Sequence, residues 1–145
     1  MYEIDALKSA SERFSRVHPS LKLIVLFGSR ARGDDDRSSD WDFAFLSEST
    51  LNHKSKSFWF SGAALMDTLS HLAGISYDDI DLVDLSRCSE VLAHFIARDG
   101  LLIYEKTPGE FAQFQRRALK TQAELEEFRH SQREQVLQAL QRWGV

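Results

Sequence analysis

Apolar and polar positions change rhythm several times along this chain, and each change predicts an element. Ile4, Leu7, Phe14 and Val17 recur near helical spacing with Lys8, Glu12, Arg13 and Arg16 elsewhere, which predicts one amphipathic helix over residues 3 to about 17, stopped before Pro19. Leu21 to Phe27, reading LKLIVLF, is short, rich in branched residues and closed by Gly-Ser, the mark of a buried strand. From Trp41 to Leu46 the rhythm alternates. Strand side chains point to opposite faces in turn, so Asp40, Asp42 and Ala44 share one face while Trp41, Phe43 and Phe45 share the other.

Between these strands, Gly33-Asp34-Asp35-Asp36 reads as an exposed turn, and Ser49 to Lys56 reads as a polar loop. Phe58 to Ala73 carries Trp59, Ala63, Met66 and Leu69 at helical spacing, with Gly74 as a C-cap. Asp78 to Leu85 predicts a strand with Asp81, Val83 and Leu85 on one face and Leu82 and Asp84 on the other. Ser89 to Arg98 predicts a short helix with Ser89 as N-cap and Gly100 past its end, and Leu101 to Tyr104 a last strand. Pro108, a good first helical residue, opens a long helix running to Trp143. Interleaved strands and helices predict an α/β fold: a small mixed β-sheet with packed helices and a long C-terminal helix. Residues 1–145 are expected to form a single domain, with 108–145 as a helical extension. Unbroken, that helix would reach roughly 50 Å, more than the domain can cover. Either it breaks near His130-Ser131 and folds back, or it docks a partner or a second copy.

Composition narrows the function classes. A hydrophobic content of 43% and a charged content of 28% are ordinary for a water-soluble globular chain. The net charge of −4 argues against broad capture of a nucleic-acid backbone, so a DNA template is not expected. Cys88, the single cysteine, has no internal partner for a disulfide. The N-terminal MYEIDALK lacks a basic-then-apolar leader pattern and no apolar run reaches spanning length; no membrane association is expected, and cytoplasm is the default. His18, His53, His71, His94 and His130 show no zinc-ligand spacing, and no Ser-His-Asp group is recognisable.

The chemistry concentrates in Gly28 to Asp42, GSRARGDDDRSSDWD. Asp40 and Asp42 repel each other on one strand face, and a hard divalent metal with oxygen ligands would offset that. Gly28 lets the backbone approach a ligand closely, and a helix starting at Ser29 would turn its N–H groups and hydroxyl toward a phosphate. A phosphate cradle beside paired carboxylates is equipment for phosphoryl or nucleotidyl transfer. Such sites need a third acid from a neighbouring strand: Asp81 and Asp84 are candidates, and strand parity allows only one of them to face the site. Arg30, Arg32 and Arg37 lie between cradle and acids, where a guanidinium can hold phosphates bidentately.

Gly-Ser, ten residues, then Asp-Xaa-Asp resembles the signature of the DNA polymerase β-like nucleotidyltransferase superfamily. The fuller string GSRARGDDDRSSDWDFAF is similar to its minimal nucleotidyltransferase (MNT) branch, antitoxins that act beside HEPN-domain toxins. Gly28, Ser29, Arg32, Gly33, Ser39, Asp40 and Asp42 fall where that branch has them, and Asp81 to Glu105 also looks like it. The resemblance implies that fold, with Asp40, Asp42 and Asp81 as catalytic acids and metal ligands for Mg²⁺, two ions in all. Gly28, Ser29 and Arg32 would bind the nucleotide. It further implies transfer of AMP from ATP to a tyrosine hydroxyl of a HEPN-domain toxin, silencing it within a hetero-oligomer. Modification of a small molecule of the aminoglycoside type, or a non-catalytic antitoxin acting by binding alone, are the competing functions.

Overall fold

The computed structural model describes residues 2–33, 40–48 and 62–142. Among them, the order of elements is α1 (Tyr2–Lys8), α2 (Ser11–Val17), β1 (Leu21–Phe27), α3 (Ser29–Arg32), β2 (Trp41–Ser47), α4 (Gly62–Ala73), a 3₁₀ turn (Tyr77–Asp79), β3 (Ile80–Asp84), α5 (Glu90–Asp99), β4 (Leu101–Glu105), α6 (Glu110–Ala118) and α7 (Gln122–Arg142). The turn at Asp34–Asp36, the loop at Ser49–Lys56, the first turn expected from Phe58, and Trp143 lie outside the described residues.

The four strands form one mixed sheet in the order β3-β2-β1-β4. β1 pairs antiparallel with both β2 and β4, and β2 pairs parallel with β3. β1 is central, which is why it reads as a nearly continuous apolar run: Leu21, Leu23, Ile24, Val25 and Leu26 are fully buried. Each such side chain contributes about 1.5–3 kcal/mol of burial.

Helices cover both faces. Trp41, Phe43 and Phe45 join Ile24 and Leu26 in a core with Ile4, Leu7, Phe14, Leu65 and Leu69 from α1, α2 and α4. Ala44 joins Leu23 and Val25 on the other side, against Ile96 and Ala97 of α5 and Phe114 of α6. The alternation in β2 therefore decides which layer each residue meets, and it puts Asp42 on the face covered by α5 and α6.

Two expected helices are broken. The N-terminal one stops at Ser9-Ala10, where the Ser9 hydroxyl donates to the Asp5 carbonyl at 2.8 Å and Ala10 N–H reaches only back to Leu7. A serine bonding its own preceding turn competes with the helical ladder. The C-terminal one begins at Glu110, after Gly109, instead of at Pro108, and breaks at Leu119–Thr121, well before His130-Ser131. Thr121 and Glu124 make the reason plain. Glu124 N–H donates to Thr121 Oγ1 at 3.1 Å and Thr121 N–H to Glu124 Oε1 at 3.0 Å, a reciprocal capping box that starts a new helix. The elbow is fastened by Lys120 N–H, which donates to His94 Nδ1 on α5 at 2.9 Å. Ser89 caps α5 as its sequence predicts, accepting from Leu92 N–H at 3.1 Å.

Candidate active site

β1 ends at Phe27, whose ladder partner is Asp42. The chain then turns through Gly28 at φ 76°, a left-handed angle that glycine adopts without strain, and enters α3 at Ser29. Ala31 and Arg32 N–H both return to the Gly28 carbonyl. Gly28 is needed for space as well as for angle. A Cβ there would overlap the Asp42 carboxylate, whose Cγ stands 3.3 Å from that point. The Gly-Ser loop and the second Asp of Asp-Xaa-Asp are thus in direct contact, although 13 residues separate them in the chain.

The third carboxylate arrives through the parallel ladder. Asp42 pairs with Asp81, one strand spacing away. Val83 and Leu85 pack with the α5–α6 layer while Ile80 and Leu82 pack with the α1–α4 layer, so alternation puts Asp81 on the face of Asp40 and Asp42. Asp84 falls on the opposite parity and is otherwise engaged. Its Oδ1 accepts from Ser86 N–H at 2.9 Å and from Ser86 Oγ at 2.7 Å, and its Oδ2 lies 3.8 Å from Arg87 Nε. It closes the turn after β3.

Partial burial, then the charges of Asp81 and Asp40, raise the Asp42 carboxyl above its ordinary pKa, with Arg32 opposing them. Asp40 and Asp81 themselves are exposed. Among the described residues, no three His, Cys, Asp or Glu side chains converge closely enough to enclose a metal ion; the adjoining pair is Asp42 and Asp81. Such oxygen donors suit a hard cation whose remaining ligands come from phosphate or water.

The arginines of the loop divide. Arg32 is near enough to lower the proton affinity of Asp42. Arg30 instead lays its guanidinium over the Trp41 ring, 4.3 Å from the centroid, and so clips α3 to the aromatic side of β2. That stack was legible only as Arg30 close in sequence to an aromatic strand. Arg37 and Ser39 lie outside the described residues.

A small mixed sheet carrying a Gly-Ser turn against the paired carboxylates of Asp42 and Asp81 defines a protein of the nucleotidyltransferase class. A family model described as polymerase beta, nucleotidyltransferase, matches residues 11–108, about two thirds of the chain. The chain belongs to the polymerase β nucleotidyltransferase family. A protein adenylyltransferase, MntA, of Aphanizomenon flos-aquae is 39% identical over 143 residues, covering 98% of this chain and 95% of that protein. Two solved structures share the fold. One, a toxin–antitoxin with AMP-PNP, has a TM-score of 0.59 at 24% identity, covering 92% of this chain and 98% of the other. The second is a tri-AMPylated Shewanella oneidensis HEPN toxin in complex with an MNT antitoxin, with a TM-score of 0.56 at 20% identity and coverages of 95% and 98%.

Proposed function

We propose that this chain transfers AMP from ATP to a tyrosine hydroxyl of a HEPN-domain toxin and thereby neutralises it. The observation that carries this function is the convergence on Asp42: Gly28 abuts its carboxylate from one side and Asp81 pairs with it from the other. The extended identity to an adenylyltransferase supports the direction of the chemistry, nucleotide to protein.

Gly28 and Ser29 would hold the triphosphate through backbone N–H and hydroxyl donors, and Arg32 would add a bidentate guanidinium. Asp40, Asp42 and Asp81 would hold Mg²⁺, two ions in all, which offset the charge that develops on the phosphates. The raised proton affinity of Asp42 comes first from its partial burial and then from the charges of Asp81 and Asp40, and a bound cation would offset both. Asp81 takes the proton of the attacking hydroxyl. The acceptor oxygen bonds the α-phosphorus, the bond from that phosphorus to the bridging oxygen breaks, and pyrophosphate leaves. Val136, Leu137 and Leu140, exposed on α7, would seat the toxin, and the reaction would run in the cytoplasm.

Incubation of the chain with a HEPN-domain protein, ATP and magnesium, followed by intact mass, tests this. Added mass in whole AMP units on a tyrosine is expected. A complex that forms while the HEPN protein keeps its mass would instead favour neutralisation by binding alone.

A further inference from the structure

The sheet face that carries Asp42 and Asp81 continues to Leu46 on β2 and to Leu85 just past the end of β3, each four residues farther on. At about 3.3 Å per residue, that is roughly 13 Å from the acids. There the face does not close. A cavity of about 330 Å³ opens between the strand ends, the first turn of α5 and the last turn of α6, within the range of pockets that take small organic ligands. Its floor is apolar: Leu46, Leu85, Ala93 and Phe114, the last buried. Its rim is cationic. Lys120, with its side chain four-fifths buried, stands 3.8 Å from Glu90, and Arg117 adds an exposed guanidinium that no carboxylate among the described residues neutralises.

The remaining wall is uncharged and already satisfied. The Ser86 hydroxyl is held by Asp84, and burial keeps the Cys88 thiol above its ordinary pKa, its proton turned to the Leu85 carbonyl at 3.8 Å. An apolar floor under one surplus positive charge selects an apolar group that ends in an anion. A zwitterion or a sugar would leave the floor wet, and a bare hydrocarbon would leave the rim unpaired.

We propose that this cavity is a second binding site, separate from the acid cluster, for an apolar carboxylate whose anion pairs with Arg117 and Lys120 while its aromatic or aliphatic body packs on Phe114 and Leu85. The carboxylate can come from a free small molecule or from the C-terminus of a peptide chain. The pocket also borders the elbow in which Lys120 N–H binds His94, so occupancy is read at that amide.

Amide NMR of the full chain, titrated with 4-phenylbutyrate, its methyl ester, and a short peptide ending in a phenylalanine carboxylate, tests the site. Saturable shifts are expected at Ala93, Phe114, Ala118 and Lys120 with the acid or the peptide, and Ser29 and Asp42 should stay silent. The tighter of the two names the source. The ester should bind at least about tenfold more weakly, and Arg117→Glu should cost the acid a similar factor. Ala118→Phe should fill the pocket and remove binding; should that variant not fold, Ala93→Leu serves the same end. Absence of saturable shifts with both carboxylates overturns the proposal. So does equal affinity for acid and ester, or an Arg117→Glu affinity within twofold of the parent.

Discussion

Gly28 and Asp42 touch across the β1–β2 ladder so closely that one added methyl on Gly28 would overlap the Asp42 carboxylate. Gly28→Ala therefore meets two obstacles, a φ of 76° that costs about 1–3 kcal/mol for an L residue, and the carboxylate itself. Gly33 offers the control. It also has a positive φ, 82°, yet an added Cβ meets nothing within 4 Å. Both alanine variants should lower Tm, but only Gly28→Ala should displace Asp42 and cut adenylyl transfer by about 100-fold or more. Equal loss of transfer in the two would trace the effect to backbone strain instead of crowding at the acid.

Asp42→Asn removes a negative charge while keeping the shape, and transfer should fall below detection. The same change should stabilise the metal-free protein at neutral pH. The folded-state pKa of Asp42 is raised, so the native state binds more protons than the unfolded chain across the carboxylate range. Stability from this group is full below its unfolded pKa and is lost as pH rises through the folded one. The Tm gain of Asp42→Asn should thus be present at pH 7 and shrink toward pH 4. Magnesium with an ATP analogue should raise the Tm of the parent and not that of the variant. A variant that melts below the parent at pH 7 without metal would contradict the assigned cost of burying this charge beside Asp81 and Asp40.

Asp81 and Asp84 are three residues apart and meet different fates, since alternation turns Asp81 toward Asp42 and leaves Asp84 to close the turn with Ser86. Asp81→Asn should slow transfer by about 100- to 10,000-fold, the range for losing a positioned proton acceptor. Asp84→Asn should slow it less than about tenfold and show itself in Tm, because two hydrogen bonds worth about 1 kcal/mol each are weakened. Comparing kcat for the two variants at saturating ATP decides it. Parity has chosen the wrong acid if Asp84→Asn is the slower enzyme.

How much of this could be read from the sequence depended on the range of each signal. β1, β2 and the face on which Asp42 lies follow from alternation, which is local. Parity says only that one of Asp81 and Asp84 can face the site, and the resemblance to the MNT branch is what points to Asp81. What alternation cannot supply is register. That Asp42 sits beside Asp81, and not beside Leu82, depends on α4 returning β3 parallel to β2. Arg30, Arg32 and Arg37 all lie between cradle and acids in the chain, yet side chains two apart on a helix point away from each other, and Arg30 goes to Trp41. The break before α7 was written in the chain as Thr121-Gln122-Ala123-Glu124, a capping box inside a run of good helix formers. An apolar stripe that continues past such a box disguises it.

The capping box changes what the C-terminus can do. At 21 residues and about 1.5 Å per residue, α7 is roughly 32 Å long, and among its described residues only Leu125 is buried. Val136, Leu137 and Leu140 are 58%, 46% and 42% exposed on the half farthest from Leu125, so that half gains little from the domain it belongs to. Three of its acidic residues, Glu124, Glu126 and Glu127, lie in the first half with Arg129, while the exposed end carries Glu134 with Arg133 and Arg142 and is the more apolar part of the helix. Deleting residues 130–145 should therefore leave a protein that still folds, with Tm near the parent, and still binds ATP with magnesium. Association with the HEPN protein should fall by at least about 100-fold, corresponding to roughly 3 kcal/mol of lost contact. Calorimetry with the intact and truncated chains measures both bindings on one sample. Docking on α7 is wrong if the truncated chain binds the HEPN protein as tightly as the parent, or if its ATP binding is lost as well.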